Sequence, residues 1–429
     1  MWRAASVTAL TTIDASPLRG LLRSALFRRW AAANLFGRLP LTMNLLALVL
    51  AGEAVTGSLA IGATLAGILT FTTGILAQPR GRRLDRMDLR AGLRRDLLLS
   101  AAVMLAFAAA VAAQSPVWVL AVLATAEGAA SAAVLGGFRA LLVPTVRPEQ
   151  IEPANALDAV FVEVAFVAGP ALAGAAALVV GPVGVLLLQV GAFCVAAVLL
   201  GGLPTRLPAA DLKAVGPAPL RTRGAGSVYL LVLGIGLPLG AWEATMPARL
   251  ASFGFEPAAA GPLLALTAFG SAVGGLIAAN RRDPLRRGRL VAAVLLLVFA
   301  AALVPTAVAP DMLLLGVALF AVGLPIAPLN ALAGLTLQRT VAVPRQAEGF
   351  SLFPAMILIG AGAGQALAGQ LLRYMNPEAL IAVLAIIPAL LGVAVVVAVV
   401  RRRVMGMSPG LGYPYDPAVT DPAAYLRTV

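Results

Sequence analysis

The stretch ANALDAVFVEVAFVAGPALAG, residues 154–174, is almost wholly apolar, yet it contains two acids, Asp158 and Glu163, and the pair Gly169-Pro170. Its length matches the roughly 20 residues with which an α-helix crosses the apolar core of a bilayer. A charged side chain at the centre of such a helix costs about 2.5–3.5 kcal/mol on insertion scales. The stretch therefore predicts a membrane-spanning helix whose acids have a function.

The composition of the whole chain supports the same prediction. Of its 429 residues, 60% are hydrophobic and 12% are charged, and the mean hydropathy is +0.94. Soluble domains contain about 25% charged residues, so we expect an all-α protein that crosses the lipid bilayer many times. The sequence has no His and a single cysteine, Cys194, which excludes an internal disulfide and metal sites built from His or Cys. We expect no cofactor and no metal.

The chain has a formal net charge of +13, which in a soluble protein would suggest nucleic-acid binding. Here the basic residues fall in short loops between apolar segments, where they set the orientation of a membrane protein. The arginine-rich segments are residues 80–95, 139–147, 206–223, 281–289 and 401–403. All lie on one side if both termini are cytoplasmic, and only Arg249 and Arg373 fall on the other. The sequence predicts this N-in, C-in orientation and no nucleic-acid partner.

Runs of apolar residues long enough to cross the membrane predict twelve helices. They cover residues 30–51, 57–78, 96–113, 117–141, 156–179, 182–203, 228–249, 257–279, 289–307, 311–336, 350–372 and 379–400. A segment rich in Pro, Gly and charge, LPTRLPAADLKAVGPAPLRTRGAGS at 203–227, separates six helices from six and is typical of a linker.

We therefore expect five parts in the chain. They are a basic cytoplasmic N-terminal segment (1–29), a first six-helix half (30–203), a cytoplasmic linker (204–227), a second six-helix half (228–400) and a cytoplasmic tail (401–429). GPALAG at 169–174 is echoed by GQALAG at 364–369. This spacing predicts that the halves are parallel repeats, an arrangement known in transporters.

The loop after the second apolar segment, GRRLDRMDLR at 81–90, resembles the signature loop of the major facilitator superfamily, G-x-L-x-D-R-x-G-R-[RK]. Gly81, Asp85, Arg86 and Arg90 match it, whereas the second glycine is missing. Gly81 would permit a tight turn at the membrane surface. The resemblance implies a twelve-helix fold in two pseudo-symmetric halves, in which this loop acts as a cytoplasmic latch.

A second signature of the superfamily, associated with exporters, ends in G-P-x-x-G-G, and GPALAG resembles it through Gly169, Pro170 and Gly174. The preceding RALLVPTVRPEQIEPANALDAV, residues 139–160, is similar to the corresponding loop of bacterial drug and siderophore exporters. Small residues let helices approach closely, and Pro bends a helix. The motif is therefore expected to serve helix packing during transport, although simple packing in any bundle is the alternative.

Three charged residues are expected at a similar depth in the first half. Counted at 1.5 Å per residue, Arg38, Glu127 and Glu163 lie roughly 11–15 Å from the cytoplasmic face. One arginine can neutralise only the nearer of the two glutamates, so the other is free to bind a proton. We expect Glu163 to be the proton carrier, because on a helical wheel it lies within about 20° of Pro170 and Gly174.

Simpler interpretations stay open for each of these residues. Glu127 with Arg38 can be a structural ion pair, and Glu163 a silent residue of a cavity wall. Asp158 is interpreted as a capping or latch residue, and Arg139 as a partner of Asp85 or an ordinary positive-inside arginine. Glu243 can bind a cationic substrate or gate the exterior.

Together these features predict a secondary active transporter of the bacterial inner membrane that acts by alternating access and functions as a monomer. The sequence favours proton-coupled efflux of a small amphiphilic molecule, by antiport. The alternative is proton-coupled import of a metabolite such as a sugar or an organic acid. A membrane-embedded enzyme or a transporter-like receptor is a more remote alternative. Lys213, the single lysine, does not follow the glycine that a Walker A motif requires, so we expect no ATP hydrolysis.

Overall fold

The structure is a computed structural model and describes residues 20–205, 219–222, 224–279, 288–341 and 346–404. Over these residues the chain is helical and contains no strand. The helices are α1 Ala25–Thr56, α2 Leu59–Asp85, α3 Leu89–Ala112, α4 Val117–Ser131, α5 Val134–Leu142, α6 Ile151–Leu200, α7 Ala225–Ser252, α8 Ala260–Ala279, α9 Gly288–Val308, α10 Met312–Gly323, α11 Ile326–Thr340, α12 Gln346–Leu371 and α13 Pro377–Val404.

Eleven helical segments of the described chain are long and apolar enough to cross a membrane, with α4–α5 and α10–α11 each forming one segment. Helix α6 contains 50 residues and would be about 75 Å long if straight, more than twice the apolar thickness of a bilayer. Gly181 interrupts it with a non-helical backbone, φ 69° and ψ 176°, just before Pro182. Dividing α6 there, at the boundary that the sequence indicates, gives twelve segments.

Several of the parts expected from the sequence lie wholly or largely outside the described residues. These are the N-terminal segment, the linker and the C-terminal tail. The second helix is longer than the sequence suggested, because α2 continues through residues 81–85 of the signature loop to Asp85. Gly81 is therefore part of a helix and does not form the tight turn that we expected of it.

Glycines bring helices from before and after the linker into close contact. Gly174 of α6 packs on the Ala258 carbonyl group and on Gly261 of α8. Gly369 of α12 packs on the Ala60 carbonyl group and on Thr64 of α2. A Cβ atom at either glycine would collide with backbone atoms of the facing segment. The echoing sequences GPALAG and GQALAG thus end in glycines that make corresponding contacts.

We predict that Gly174→Ala and Gly369→Ala each destabilise the protein by about 1–3 kcal/mol, because the added methyl group overpacks a backbone contact. The measurement is the thermal unfolding midpoint of the purified full-length protein in detergent. Gly191→Ala is the matched control, since a Cβ there meets no atom within 4 Å. A loss of stability in the control equal to that of the two test variants would contradict the assignment.

Candidate functional site

A small open pocket of about 160 Å³ lies where α5 and the first part of α6 meet. Its lining residues are Arg139 of α5 and, on α6, Asp158, Ala159, Val162 and Glu163. The α6 residues share one face of the helix because they are spaced at i, i+1, i+4 and i+5. The pocket brings together three residues that the sequence analysis singled out separately: Arg139, Asp158 and Glu163.

The wall of this pocket contains a buried ion pair between α1 and α6. Arg38 Nη2 lies 3.0 Å from Asp158 Oδ1, and each side chain is 5% exposed. Arg38 Nη1 also donates a hydrogen bond to the Asp158 carbonyl oxygen at 3.3 Å. Asn34, one helical turn before Arg38, donates a hydrogen bond from Nδ2 to Asp158 Oδ1 at 3.0 Å. The two charges therefore neutralise each other inside the protein.

The pairing of Arg38 corrects an expectation from the sequence. We expected Arg38 to lie beside Glu127 or Glu163, and we grouped Asp158 with the cytoplasmic latch. The Cα–Cβ bonds of a helix tilt toward its N-terminus, and α1 begins at the same end of the bundle as α6. The long Arg38 side chain therefore reaches back toward Asp158, about one and a half turns before Glu163.

Arg139 and Glu163 are the pocket's other two charged residues. Arg139 lies close enough to Arg38 for their positive charges to repel each other. Within the described part of the chain, neither Arg139 nor Glu163 forms an ion pair. The suggested Arg139–Asp85 pair is likewise absent from these residues. Glu163 is partly buried, so a carboxyl group without a counter-charge faces an open pocket.

Glu127 lies in a second polar site, outside the pocket. Its side chain is fully buried in α4, and neither carboxyl oxygen has a hydrogen-bond partner. The hydroxyl groups of Ser100 in α3 and Ser131 in α4 lie beside it. Nearer the helix ends, Arg80 of α2 forms an ion pair of 2.8 Å with Asp96 of α3.

The Arg80–Asp96 pair and the two serines are not among the residues predicted from the sequence. Ser100 follows Asp96 by four residues and Ser131 follows Glu127 by four, so each pair lies on one helix face. That spacing was available in the sequence. The orientation of α3 toward α4, which brings these residues together, could not be predicted from the sequence.

Glu243 does not belong to either site. It lies partly buried in α7 and does not line the pocket. Its neighbour Trp242 is fully buried and donates a hydrogen bond from Nε1 to Thr306 Oγ1 of α9 at 3.1 Å. Trp242 is therefore a packing residue between α7 and α9.

The signature loop is arranged differently from the simple turn we expected. Asp85 and Arg86 are exposed and form no ion pair with other described residues. Arg90 donates a hydrogen bond from Nη1 to the Leu203 carbonyl oxygen at 3.0 Å. Asp88 starts α3 by accepting a hydrogen bond from the Ala91 N–H at 2.8 Å, and this bond lowers the pKa of the Asp88 carboxyl group.

Arg82 makes a contact between the two sides of the linker at this end. Its Nη2 lies 3.1 Å from Glu348 Oε1 of α12. The loop thus forms an ion pair with a helix from beyond the linker. The residue that forms it, Arg82, occupies a variable position of the signature. Sequence reasoning missed it because Glu348 is 266 residues away, and no local pattern links the two.

The helix-packing motif connects the pocket helix to two neighbours. Gly169 packs on the Thr42 side chain of α1, and Thr42 Oγ1 donates a hydrogen bond to the Ala165 carbonyl oxygen at 2.9 Å. The Pro170 carbonyl oxygen lies against Gly261 of α8, which also contacts Gly174. The helix that carries Asp158 and Glu163 is thus packed directly on α8, a helix from beyond the linker.

This arrangement of helices and buried charges is that of a membrane transporter. A family model described as Major Facilitator Superfamily matches residues 31–339. The chain belongs to this superfamily, and its fold is that of secondary transporters, which points to a transporter rather than an enzyme.

Solved structures of transporters have the same fold. A mutant of the nucleoside transporter NupG matches with a TM-score of 0.68 at 12% identity, over 86% of this chain and 99% of that one. The human organic anion transporter MFSD10 matches with a TM-score of 0.59 at 15% sequence identity, over 86% of this chain and 99% of that one. A POT peptide transporter in complex with alafosfalin matches with a TM-score of 0.61 at 15% sequence identity, over 90% of this chain and 96% of that one. No curated protein matches the sequence.

We predict that Arg38→Gln destabilises the protein by about 3–5 kcal/mol, because it leaves Asp158 buried without a counter-charge. The double variant Arg38→Gln/Asp158→Asn is expected to recover much of that loss. Thermal unfolding of the purified protein in detergent measures both effects. Arg147→Gln, an exposed arginine of the same end, serves as the control and should stay within about 0.5 kcal/mol of the parent. Additive losses in the double variant would show that the two residues do not form a pair.

Proposed function

We propose that this chain is a proton-coupled exporter of a small amphiphilic molecule, working as a monomer in the bacterial inner membrane by alternating access. The observation that supports it best is the Glu163 carboxyl group, which lines an open pocket without an ion-pair partner among the described residues. Carboxyl groups inside membrane segments are expensive to retain and commonly serve in proton relays.

The neighbouring ion pair leaves Glu163 as the carboxylate of the pocket whose charge is not neutralised by a described residue. Since Arg38 and Asp158 neutralise each other, binding of a proton to Glu163 changes the charge of the pocket by one. Substrate and proton would then occupy the pocket in alternation, as antiport requires. Each proton that moves inward supplies about 2.3 kcal/mol per 100 mV of membrane potential.

The packing of α6 supports a link between this carboxyl group and the movement of the halves. Glu163 lies on the same helix as Gly169 and Gly174, which pack on α1 and α8 respectively. Movement of α6 against α8 would change the exposure of Glu163 to either side of the membrane. The exporter-like motif GPALAG, residues 169–174, is the argument for the outward direction.

A second candidate function is proton-coupled import of a small organic acid. Arg139 is the observation that favours it, because it lines the pocket with no ion-pair partner among the described residues. An arginine in that position could hold a carboxylate. For an anion, protonation of Glu163 would promote binding, so proton and substrate would travel together in one direction.

We predict that bacteria lacking their own exporters, when they express this chain, lose preloaded amphiphiles faster than control cells, and that a protonophore stops this loss. Glu163→Gln is expected to remove the dependence on the proton gradient while the protein still reaches the membrane. The concentration ratio at steady state should then fall by tens-fold, the factor that corresponds to about 2.3 kcal/mol.

Glu149→Gln is the control variant, because Glu149 is an exposed carboxylate at the same end of the bundle. Export that continues unchanged in the Glu163→Gln variant would remove Glu163 from the mechanism. Protonophore-sensitive uptake of an organic acid in place of export would establish the second candidate function.

A further inference from the structure

The pocket presents two charges of opposite sign that have no partner within the described chain. Asp158 is already satisfied by Arg38 and Asn34. Arg139 and Glu163 remain, and both line the same open space of about 160 Å³. A ligand that carries only one charge would pair with one of these residues and leave the other unpaired.

The two unpaired charges come from different helices. Glu163 follows Asp158 by five residues on α6, which corresponds to about 7.5 Å along the helix axis. Arg139 comes from α5 and lies near the Arg38–Asp158 pair. Ala159 and Val162 provide the apolar part of the lining on the same face of α6. The lining of the pocket therefore combines an arginine, a carboxylate without an ion-pair partner and an apolar surface.

We propose that the substrate is a small zwitterion, whose ammonium group binds Glu163, whose anionic group binds Arg139 and whose apolar body lies on Ala159 and Val162. This inference rests on the proposed transport function and specifies its substrate class. Charge-assisted hydrogen bonds at both ends stabilise such a ligand about twice as strongly per bond as neutral ones.

The proposal also explains how substrate and proton exclude each other. The ammonium group and the proton compete for the same Glu163 carboxylate, so one replaces the other. With Arg38 and Asp158 neutralising each other and Arg139 remaining charged, the pocket is neutral when the zwitterion is bound and carries one positive charge when Glu163 is protonated. Exchange of one zwitterion for one proton would therefore carry one positive charge inward, and its rate would depend on membrane potential.

The test uses three probes of similar length: ω-aminohexanoate, which carries both charges, hexylamine, which carries the positive one, and hexanoate, which carries the negative one. Binding to the purified full-length protein in detergent is measured as a ligand-dependent shift of the unfolding midpoint. We expect ω-aminohexanoate to half-saturate the protein at a concentration about tenfold lower than either single-charge probe.

Two variants assign the ends of the ligand. Arg139→Gln should weaken binding of ω-aminohexanoate and hexanoate about tenfold and should not weaken binding of hexylamine. Glu163→Gln should weaken binding of ω-aminohexanoate and hexylamine and should not weaken binding of hexanoate. Arg139→Lys keeps the charge and should retain most of the affinity, whereas Arg147→Gln should change nothing. The unfolding midpoint without ligand shows in the same experiment that each variant is folded.

Equal or absent binding of the three probes would overturn the zwitterion proposal. Stronger binding of hexylamine or hexanoate would also overturn it, in favour of a cationic or an anionic substrate respectively. These outcomes are independent of the export test, because protonophore-sensitive export of a different amphiphile would leave the proposed function in place. If ω-aminohexanoate binds strongly but transport does not depend on the proton gradient, the proposed proton coupling is wrong and the zwitterion site remains.

Discussion

The ion pair between Arg38 and Asp158 sets the charge balance on which the pocket depends. Inside a membrane protein, a charge needs a counter-charge, a proton or water, because the surroundings offer little other stabilisation. Arg38 and Asp158 satisfy each other between α1 and α6, with Asn34 as a further hydrogen-bond donor. Glu163 and Arg139 consequently have no ion-pair partner among the described residues.

The same physical constraint distinguishes the two glutamates Glu127 and Glu163. Glu163 faces an open pocket, where water, a proton or a ligand can reach it. Glu127 is fully buried in α4, with the hydroxyl groups of Ser100 and Ser131 beside its carboxyl group. Two residues of one chemical type, at similar depth by residue count, thus have different access to solvent. This difference is the reason why Glu163 is the stronger candidate for proton exchange.

Packing connects this chemistry to movement. The pocket helix α6 touches α1 through Gly169 and α8 through Gly174, with no space for a side chain at either contact. The corresponding contact of Gly369 with α2 gives the bundle a second close approach of the same kind. At the opposite end of α2, the Arg82–Glu348 ion pair lies near the surface, with the Arg82 side chain 60% and the Glu348 side chain 22% exposed, and ion pairs near the surface contribute little to stability. The close glycine contacts are suited to persist, and this ion pair is better suited to break.

The sequence by itself determined the class of this protein and much of its helix pattern. The length and apolarity of its segments require helices in lipid, and these features are local. The helix break near residue 181, the acid at 163 and the glycine at 174 were all identified from short stretches. The partners of the charged side chains were decided by the tertiary structure alone. Arg38 meets Asp158, and Arg82 meets Glu348, because of the tilt, rotation and stagger of helices that are distant in sequence. A residue count gives the depth of a side chain to about one helical turn, and an ion pair requires atoms within 4 Å.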